Sequence, residues 1–406
     1  MLPEGWISRP LEQIAKISSG GTPSRANAAF WGGNIPWVTT AEVNSSLICD
    51  TKEKITQLGL ENSSAKLYQP GTILLAMYGQ GKTRGQVAML GIQAATNQAC
   101  AAIVLKQNFN RDFYFYYLQS RYEHLRELSN SGSQENLSAG LIKEITVPIP
   151  PPIEQARIAK VLATWDKAMA TVERLLENSQ HQKKALTQQL LTGKKRLHGF
   201  QREWQNFRLE QIFSRVTTKN TAANTNVVTI SAQHGLIRQE DYFNKTVASE
   251  TLDNYFLLKK GQFAYNKSYS NGYPMGAIKR LNKYEKGVVT TLYICFEVRD
   301  ESICNPEFFE HYFDSGLLNN GLSKVANEGG RAHGLLNVKP SDFFGLNVFI
   351  PGVDEQKAIA AVLTTADQEI QALQAKLACL KQEKIALMQQ LFTGKRRVKI
   401  DEPEVA

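Results

Sequence analysis

The stretch Ala76-Met77-Tyr78-Gly79-Gln80-Gly81-Lys82-Thr83-Arg84-Gly85 is the first in the chain whose residue types could do chemistry. Ala76-x-x-x-x-Gly81-Lys82-Thr83 fits the loosest form of a phosphate-binding loop, with Ala in place of the first Gly, after an apolar run (Thr72 to Met77) that reads as a strand. Holding nucleotide phosphates there requires a helix directly after Lys82-Thr83, because the amides of its first turn face the anion. The next residues are instead RGQVAMLGI, with Gly85 and Gly91 around short apolar pairs, and they read as a second strand. No apolar strand ending in a magnesium-binding Asp comes after it either.

Asn305-Pro306-Glu307-Phe308 approaches the Asn/Asp-Pro-Pro-aromatic motif of amino methyltransferases, but Glu stands where the second Pro belongs. Asn as N-cap with Pro at the first helical position accounts for it without catalysis. With no Gly-rich strand–loop–helix suited to S-adenosylmethionine, the chain is expected to carry no active site, no metal site and no cofactor of its own. Nucleic-acid chemistry fits the loops better. Thr22, Ser24 and Arg25 in SSGGTPSR, and Lys82, Thr83 and Arg84, combine hydroxyls and cations with glycines that let a backbone approach phosphates. Lys267, Ser268, Tyr269 and Asn271, and Arg331 and His333, do the same later in the chain. Arg can also reach guanine bidentately, and Asn adenine.

The elements positioning these loops are written twice. Trp6…Leu11-Glu12-Gln13-Ile14 returns as Trp204…Leu209-Glu210-Gln211-Ile212, and Glu154-Gln155 as Glu355-Gln356. Gln188-Gln189-Leu190-Leu191-Thr192-Gly193-Lys194 returns as Gln389-Gln390-Leu391-Phe392-Thr393-Gly394-Lys395, at a constant spacing of 201 through the back parts. Aligning Gly71 with Gly261 and Gly85 with Gly276 sets AMYGQGKTRG against NKSYSNGYPMG, and no GKT survives. A loop whose chemistry differs between copies on a shared scaffold points to recognition, not hydrolysis.

Each copy ends in a long helix. Prolines punctuate the starts, and Gly193 and Gly394 stand where a left-handed C-terminal cap belongs. Between them, Ile158, Leu162, Trp165, Met169, Val172, Leu176, Leu186 and Leu190 step by threes and fours around Ser179 and Lys183. Ile359, Leu363, Ile370, Leu373, Leu377, Leu380, Leu387 and Leu391 repeat the pattern around Ala366 and Lys384. That is a coiled-coil seam, and two matching copies predict mutual pairing. The front parts read as mixed α/β, with strands at Ile73–Met77, Ala99–Leu105 and Ile145–Ile149 and one helix from about Asp112 to Leu128, whose counterpart begins near Asn305.

The bulk numbers agree. A chain of 406 residues with a formal net charge of +9 holds two or three domains and leans toward a polyanionic partner. Five cysteines without CxxC spacing, no apolar signal-like start and no apolar run of membrane-spanning length predict a cytoplasmic protein with reduced thiols and no membrane partner.

With the duplicated layout, the junctions IPPPIEQARIAKVL and IPGVDEQKAIAAVL, the ends QQLLTGKKR and QQLFTGKRR, and ISSGGTPS before WGGNIPWV, the whole chain resembles the specificity subunit of a Type I restriction-modification system. The resemblance implies a mixed α/β, internally duplicated fold in which two target recognition domains are joined by two long paired coiled-coil helices, and a repeat that pairs its own helices about a pseudo-two-fold axis makes them antiparallel. The corresponding boundaries are 1–151 and 199–351 for the recognition domains, 152–198 and 352–395 for the helices, and 396–406 for a tail. It further implies a non-catalytic subunit reading an asymmetric, split double-stranded DNA target. The partners would be two modification subunits that hold S-adenosylmethionine and dock on the helices, with two restriction subunits using ATP and Mg where these are present. Antiparallel pairing would put the globular units at opposite ends, and residues 158–191 as helix would separate them by roughly 50 Å. It would also set Lys384 near Trp165 and Lys183 near Ala366. The competing readings are a stand-alone architectural DNA-binding protein and a nucleotide-binding enzyme using residues 76–83.

Overall fold

The computed structural model describes residues 3–79, 81–130, 136–221, 223–231, 234–243, 252–270, 272–328 and 336–399. Asn271, Arg331 and His333, proposed above as DNA contacts, lie outside the described residues, as does Gln80. The chain divides into two compact units, residues 1–173 with 375–406, and residues 174–374.

In the first unit a five-stranded sheet runs in the order Ala15–Ser19, Cys100–Leu105, Ile73–Ala76, Val87–Leu90, Leu47–Ile48. The first four strands are antiparallel neighbours, and the last joins in parallel. The second unit repeats the antiparallel four as Phe213–Val216, Ile294–Val298, Phe263–Asn266 and Ala277–Arg280. Each unit also pairs its first strand with its last, Ile7–Pro10 with Thr146–Ile149 and Gln205–Arg208 with Asn347–Ile350. The duplication is therefore one of topology as well as of sequence. The first unit adds a second sheet, Glu53–Ile55, Trp31–Val38, Ala94–Thr96 and Leu67–Tyr68, around Trp37 and Ile55.

The helix expected from Asp112 to Leu128 is two helices, Arg111–Ser120 and Tyr122–Asn130. At the break the Ser120 hydroxyl donates to the Tyr117 carbonyl at 2.6 Å, and the Arg121 amide turns back to Leu118 at 3.1 Å. The counterpart, Pro306–Asp314, begins where expected, with the Asn305 side chain accepting from the Phe308 amide at 2.8 Å. Asn110 caps the first-unit helix in the same way at 2.9 Å, so the Asn-Pro dipeptide is a helix start.

The central helix, Pro152–Leu190, and the C-terminal helix, Val353–Phe392, carry the repeated tails. Every seam position named above is buried or half-buried, although most of the neighbouring positions are exposed. In the first unit, Ile158 and Leu162 share a core with Met388, Leu391 and Phe392. In the second, Leu190 and Leu191 share one with Ile359 and Leu363. The start of each helix thus packs beside the end of the other, which is antiparallel pairing. Gly193 and Gly394, at φ 70° and 67°, turn out of the helices in the left-handed caps their type allows.

Candidate nucleic-acid interface

The strands Ile73–Ala76 and Val87–Leu90 form a hairpin whose loop holds Lys82, Thr83 and Arg84. The loop is closed by Ala76 and Gln86, amide to carbonyl at 2.9 Å. A strand comes directly after the GKT loop, so no helix N-terminus is available to face a phosphate there. The loop is instead braced from behind by the helix Tyr122–Asn130. The Tyr122 hydroxyl donates to the Lys82 carbonyl at 2.8 Å, and Arg126 donates to the Gly81 carbonyl at 2.6 Å. Lys82 is exposed, while Thr83 and Arg84 are half-buried.

The second unit builds the same hairpin from Phe263–Asn266 and Ala277–Arg280. The residues aligned by sequence adopt the same backbone: Gly71 and Gly261 at φ 85° and 90°, Gly85 and Gly276 at 85° and 77°. The Met77 carbonyl accepts from the Leu137 amide at 3.1 Å, and the Lys267 carbonyl from the Leu336 amide at 3.0 Å. Ser268 turns its amide onto the Asn266 side chain at 3.0 Å, and Tyr269 stands exposed. Lys267 is half-buried, and burial lowers its ammonium pKa. One frame therefore carries two different loops.

The loop Ser18–Arg25 is organised otherwise than its composition implies. Gly20 and Gly21 are packed against protein: a Cβ on Gly20 would meet the Thr96 carbonyl at 2.0 Å, and one on Gly21 the Ser64 hydroxyl at 2.3 Å. Their small size serves close chain crossing, and the Gly21 carbonyl accepts from the Trp37 indole at 2.9 Å. Thr22 donates to Gln98, and Ser24 is exposed, with its carbonyl taken by the Trp31 indole at 3.1 Å. Arg25 forms a two-pronged pair with Glu53 at 2.5 and 2.8 Å, its guanidinium 3.7 Å from the centre of the Trp31 ring. The pairing with Glu53 raises the Arg25 pKa, and Arg25 holds the Glu53 carboxyl below its usual range. Among the described residues, Arg25 is thus already committed to a partner in a way that Lys82 is not.

Two of the buried thiols offer little reactivity. Cys100 and Cys295 stand on corresponding central strands, and burial pushes both up to about 12. Among the described residues, no helix is long and apolar enough to cross a membrane.

A family model described as Type I restriction modification DNA specificity domain matches residues 3–178. The MjaIX specificity subunit of a type I restriction enzyme from Methanocaldococcus jannaschii is 28% identical over 190 residues, covering 46% of this chain and 42% of that one. The chain thus aligns with less than half of that relative's length. The MjaVIII specificity subunit of the same organism is 21% identical over 425 residues, 98% of this chain and 94% of that one. A solved S subunit from M. genitalium shares the fold, with a TM-score of 0.58 at 14% identity over 96% of each chain. The chain is thus similar to Type I restriction-modification specificity subunits, by a family model over its first part and by relatives along its length.

The repeated Glu-Gln pairs have a structural reason that local sequence conceals. Gln155 accepts the Asn110 amide at 3.0 Å and donates to the Pro150 carbonyl at 2.8 Å. Gln356 accepts the Asn305 amide at 2.8 Å and donates to the Pro351 carbonyl at 2.9 Å. Each Gln thereby fixes the first turn of a long helix against a helix start in its own unit. A second node lies further along. In the first unit Asp166 accepts from Tyr116 at 2.6 Å and from Lys384 at 2.5 Å. In the second, Asp367 pairs with Lys183 and faces His311 at 3.8 Å. The two seam lysines thus meet the aspartates next to Trp165 and Ala366, and the aromatic ring beneath Lys384 is Tyr116, at 4.8 Å.

Proposed function

We propose that the chain is a Type I specificity subunit that recognises an asymmetric, bipartite double-stranded DNA target, with residues 1–151 and 199–351 each reading one half. The observation that carries this reading is the pair of hairpins, which share strand order and left-handed glycines while most of their loop residues differ. A common frame with exchanged side chains suits direct readout, where a few groups on a fixed scaffold choose the base pair. Two unlike readers require two unlike half-sites. Lys82, Thr83, Arg84, Lys267, Ser268, Tyr269, Thr22, Ser24 and Arg25 are the proposed contacts within the described loops.

The paired helices set the gap between half-sites and dock two modification subunits. Those subunits supply S-adenosylmethionine and the adenine methyl transfer; two restriction subunits, where present, supply ATP- and Mg-dependent cleavage in the cytoplasm. The subunit itself positions these activities without catalysing them. Mapping methylated adenines in DNA from cells expressing the chain with its modification subunits tests the reading. An interrupted motif with unlike halves is expected; a continuous or palindromic motif would overturn it.

A further inference from the structure

Thirteen large apolar side chains stand exposed among the described residues, and single cases of this kind are ordinary on a protein surface. One pair recurs at the same place in both copies. Tyr78 stands seven residues before Gly85 and Tyr269 seven before Gly276, and those two glycines occupy the same left-handed position in the two hairpins. Tyr78 is 39% and Tyr269 63% exposed. Around them the loops share no GKT and no common run, so the aromatic persists where its neighbours have been exchanged.

The loops present these rings from a fixed base. In the first unit the ends of the loop are held by Ala76–Gln86 and its far side by Tyr122 and Arg126. In the second, Ser270 and Tyr273 bridge across the loop at 2.8 Å, and the Tyr265 hydroxyl donates to the Met275 carbonyl at 2.7 Å. A rigid aromatic with only two side-chain torsions, in the same loop as Lys82 in one unit and Lys267 in the other, loses little entropy on contact and adds apolar area to a loop that carries a cation.

We propose that Tyr78 and Tyr269 are equivalent specificity-determining residues, each placing its ring in apolar contact with base edges of its own half-site. This rests on the bipartite-reader function. The test uses the chain assembled with its modification subunits and three duplexes: the full target, and the target with one or the other half scrambled. Tyr78→Ala is expected to weaken binding to the full target roughly tenfold, with no further loss once its own half is scrambled. Tyr269→Ala is expected to do the same for the opposite half. Tyr78→Phe and Tyr269→Phe keep the ring and should stay within about twofold of the parent.

Equal weakening on all three duplexes, no weakening on any, or both alanine variants acting through the same half would each overturn the proposal. Loss in the Phe variants as large as in the Ala variants would assign the effect to the hydroxyl and overturn the apolar contact. If the parent assembly fails to distinguish the full target from the scrambled duplexes, the recognition function itself falls, a result separable from any tyrosine effect.

Discussion

Arg397, beyond the end of the C-terminal helix, closes a two-pronged ion pair on Glu154 at the start of the central helix, at 2.7 and 2.9 Å. Arg196, beyond the end of the central helix, does the same to Glu355 at 2.7 Å in both prongs. Both carboxylates are buried, and Glu154 also accepts the Trp6 indole at 2.9 Å. Each helix end therefore locks onto the other helix's beginning through a charge that has little access to water.

Removing the arginine leaves that carboxylate buried without its counter-ion, which costs far more than losing a surface pair. Arg397→Ala should lower stability by about 3 kcal/mol, read as a shift in the urea midpoint. Adding Glu154→Gln should restore part of the loss, because a neutral amide needs no counter-ion. A double variant as unstable as the single one would show that the lost guanidinium packing, not the stranded charge, sets the cost.

His311 and Tyr116 occupy corresponding positions, yet only the histidine can change charge near neutral pH. Its Nε2 lies 3.0 Å from the Thr364 hydroxyl, and burial lowers its pKa from the ordinary 6.5, partly opposed by Asp367. Lys183, Asp314 and Glu307 also act on it, the lysine lowering and the carboxylates raising. The neutral ring is the form the fold prefers, so the unfolded chain binds the extra proton first. Stability from this site is present above about pH 6.5 and falls as the pH drops toward the folded-state value. His311→Tyr, which imports the first unit's residue, should lose less stability than the parent between pH 7.5 and 5.5. Identical pH dependence in thermal melts of the two proteins would refute the assignment.

Features with a local period were open to reading, and those resting on distant partners were not. Ile158, Leu162 and Leu363 announce the seam because each neighbour lies three or four residues away. The shared loop frame is legible in Gly71 and Gly261, whose backbone requirement survives divergence, although the hairpin pairing around it is not. Glu154 reads locally as a residue favoured by the helix dipole, yet its main partner is 243 residues distant. Gly20-Gly21 reads as an open phosphate-approach loop because the carbonyl of Thr96, which fills the space, is far along the chain. Arg25 likewise gives no local sign of Glu53. Tyr78 gives no sign of contact within its own cationic motif; its signal in the sequence is the tyrosine seven residues before Gly85 and before Gly276 in both copies.

The two loop glycines differ in what surrounds them. Gly276 has φ 77°, and a Cβ there would meet the Asn266 carbonyl at 2.2 Å and the Tyr265 ring at 2.9 Å. Gly85 has φ 85°, but its added Cβ would meet first the Arg126 side chain at 3.2 Å, which can yield. Gly85→Ala should therefore cost about 1–2 kcal/mol, the left-handed penalty alone. Gly276→Ala should cost more and should disturb the second hairpin, seen as faster amide exchange at Ala277 and Ile278. Equal costs would mean that the backbone angle alone governs both sites.

The helices make the gap between half-sites an engineerable length under the proposed function. The seam must stay in register, so one heptad has to enter both helices at matched points, after Glu173 and after Gln374, where the two compact units divide. Seven residues add about 10 Å of helix, which corresponds to about 3 bp of duplex. Methylation mapping with the doubly lengthened chain should return the same two half-sites separated by about 3 bp more. A heptad in one helix alone leaves seven residues without partners and should lower stability without defining a new gap. Unchanged spacing in the matched variant, with both half-sites still recognised, would remove the helices from the role of ruler.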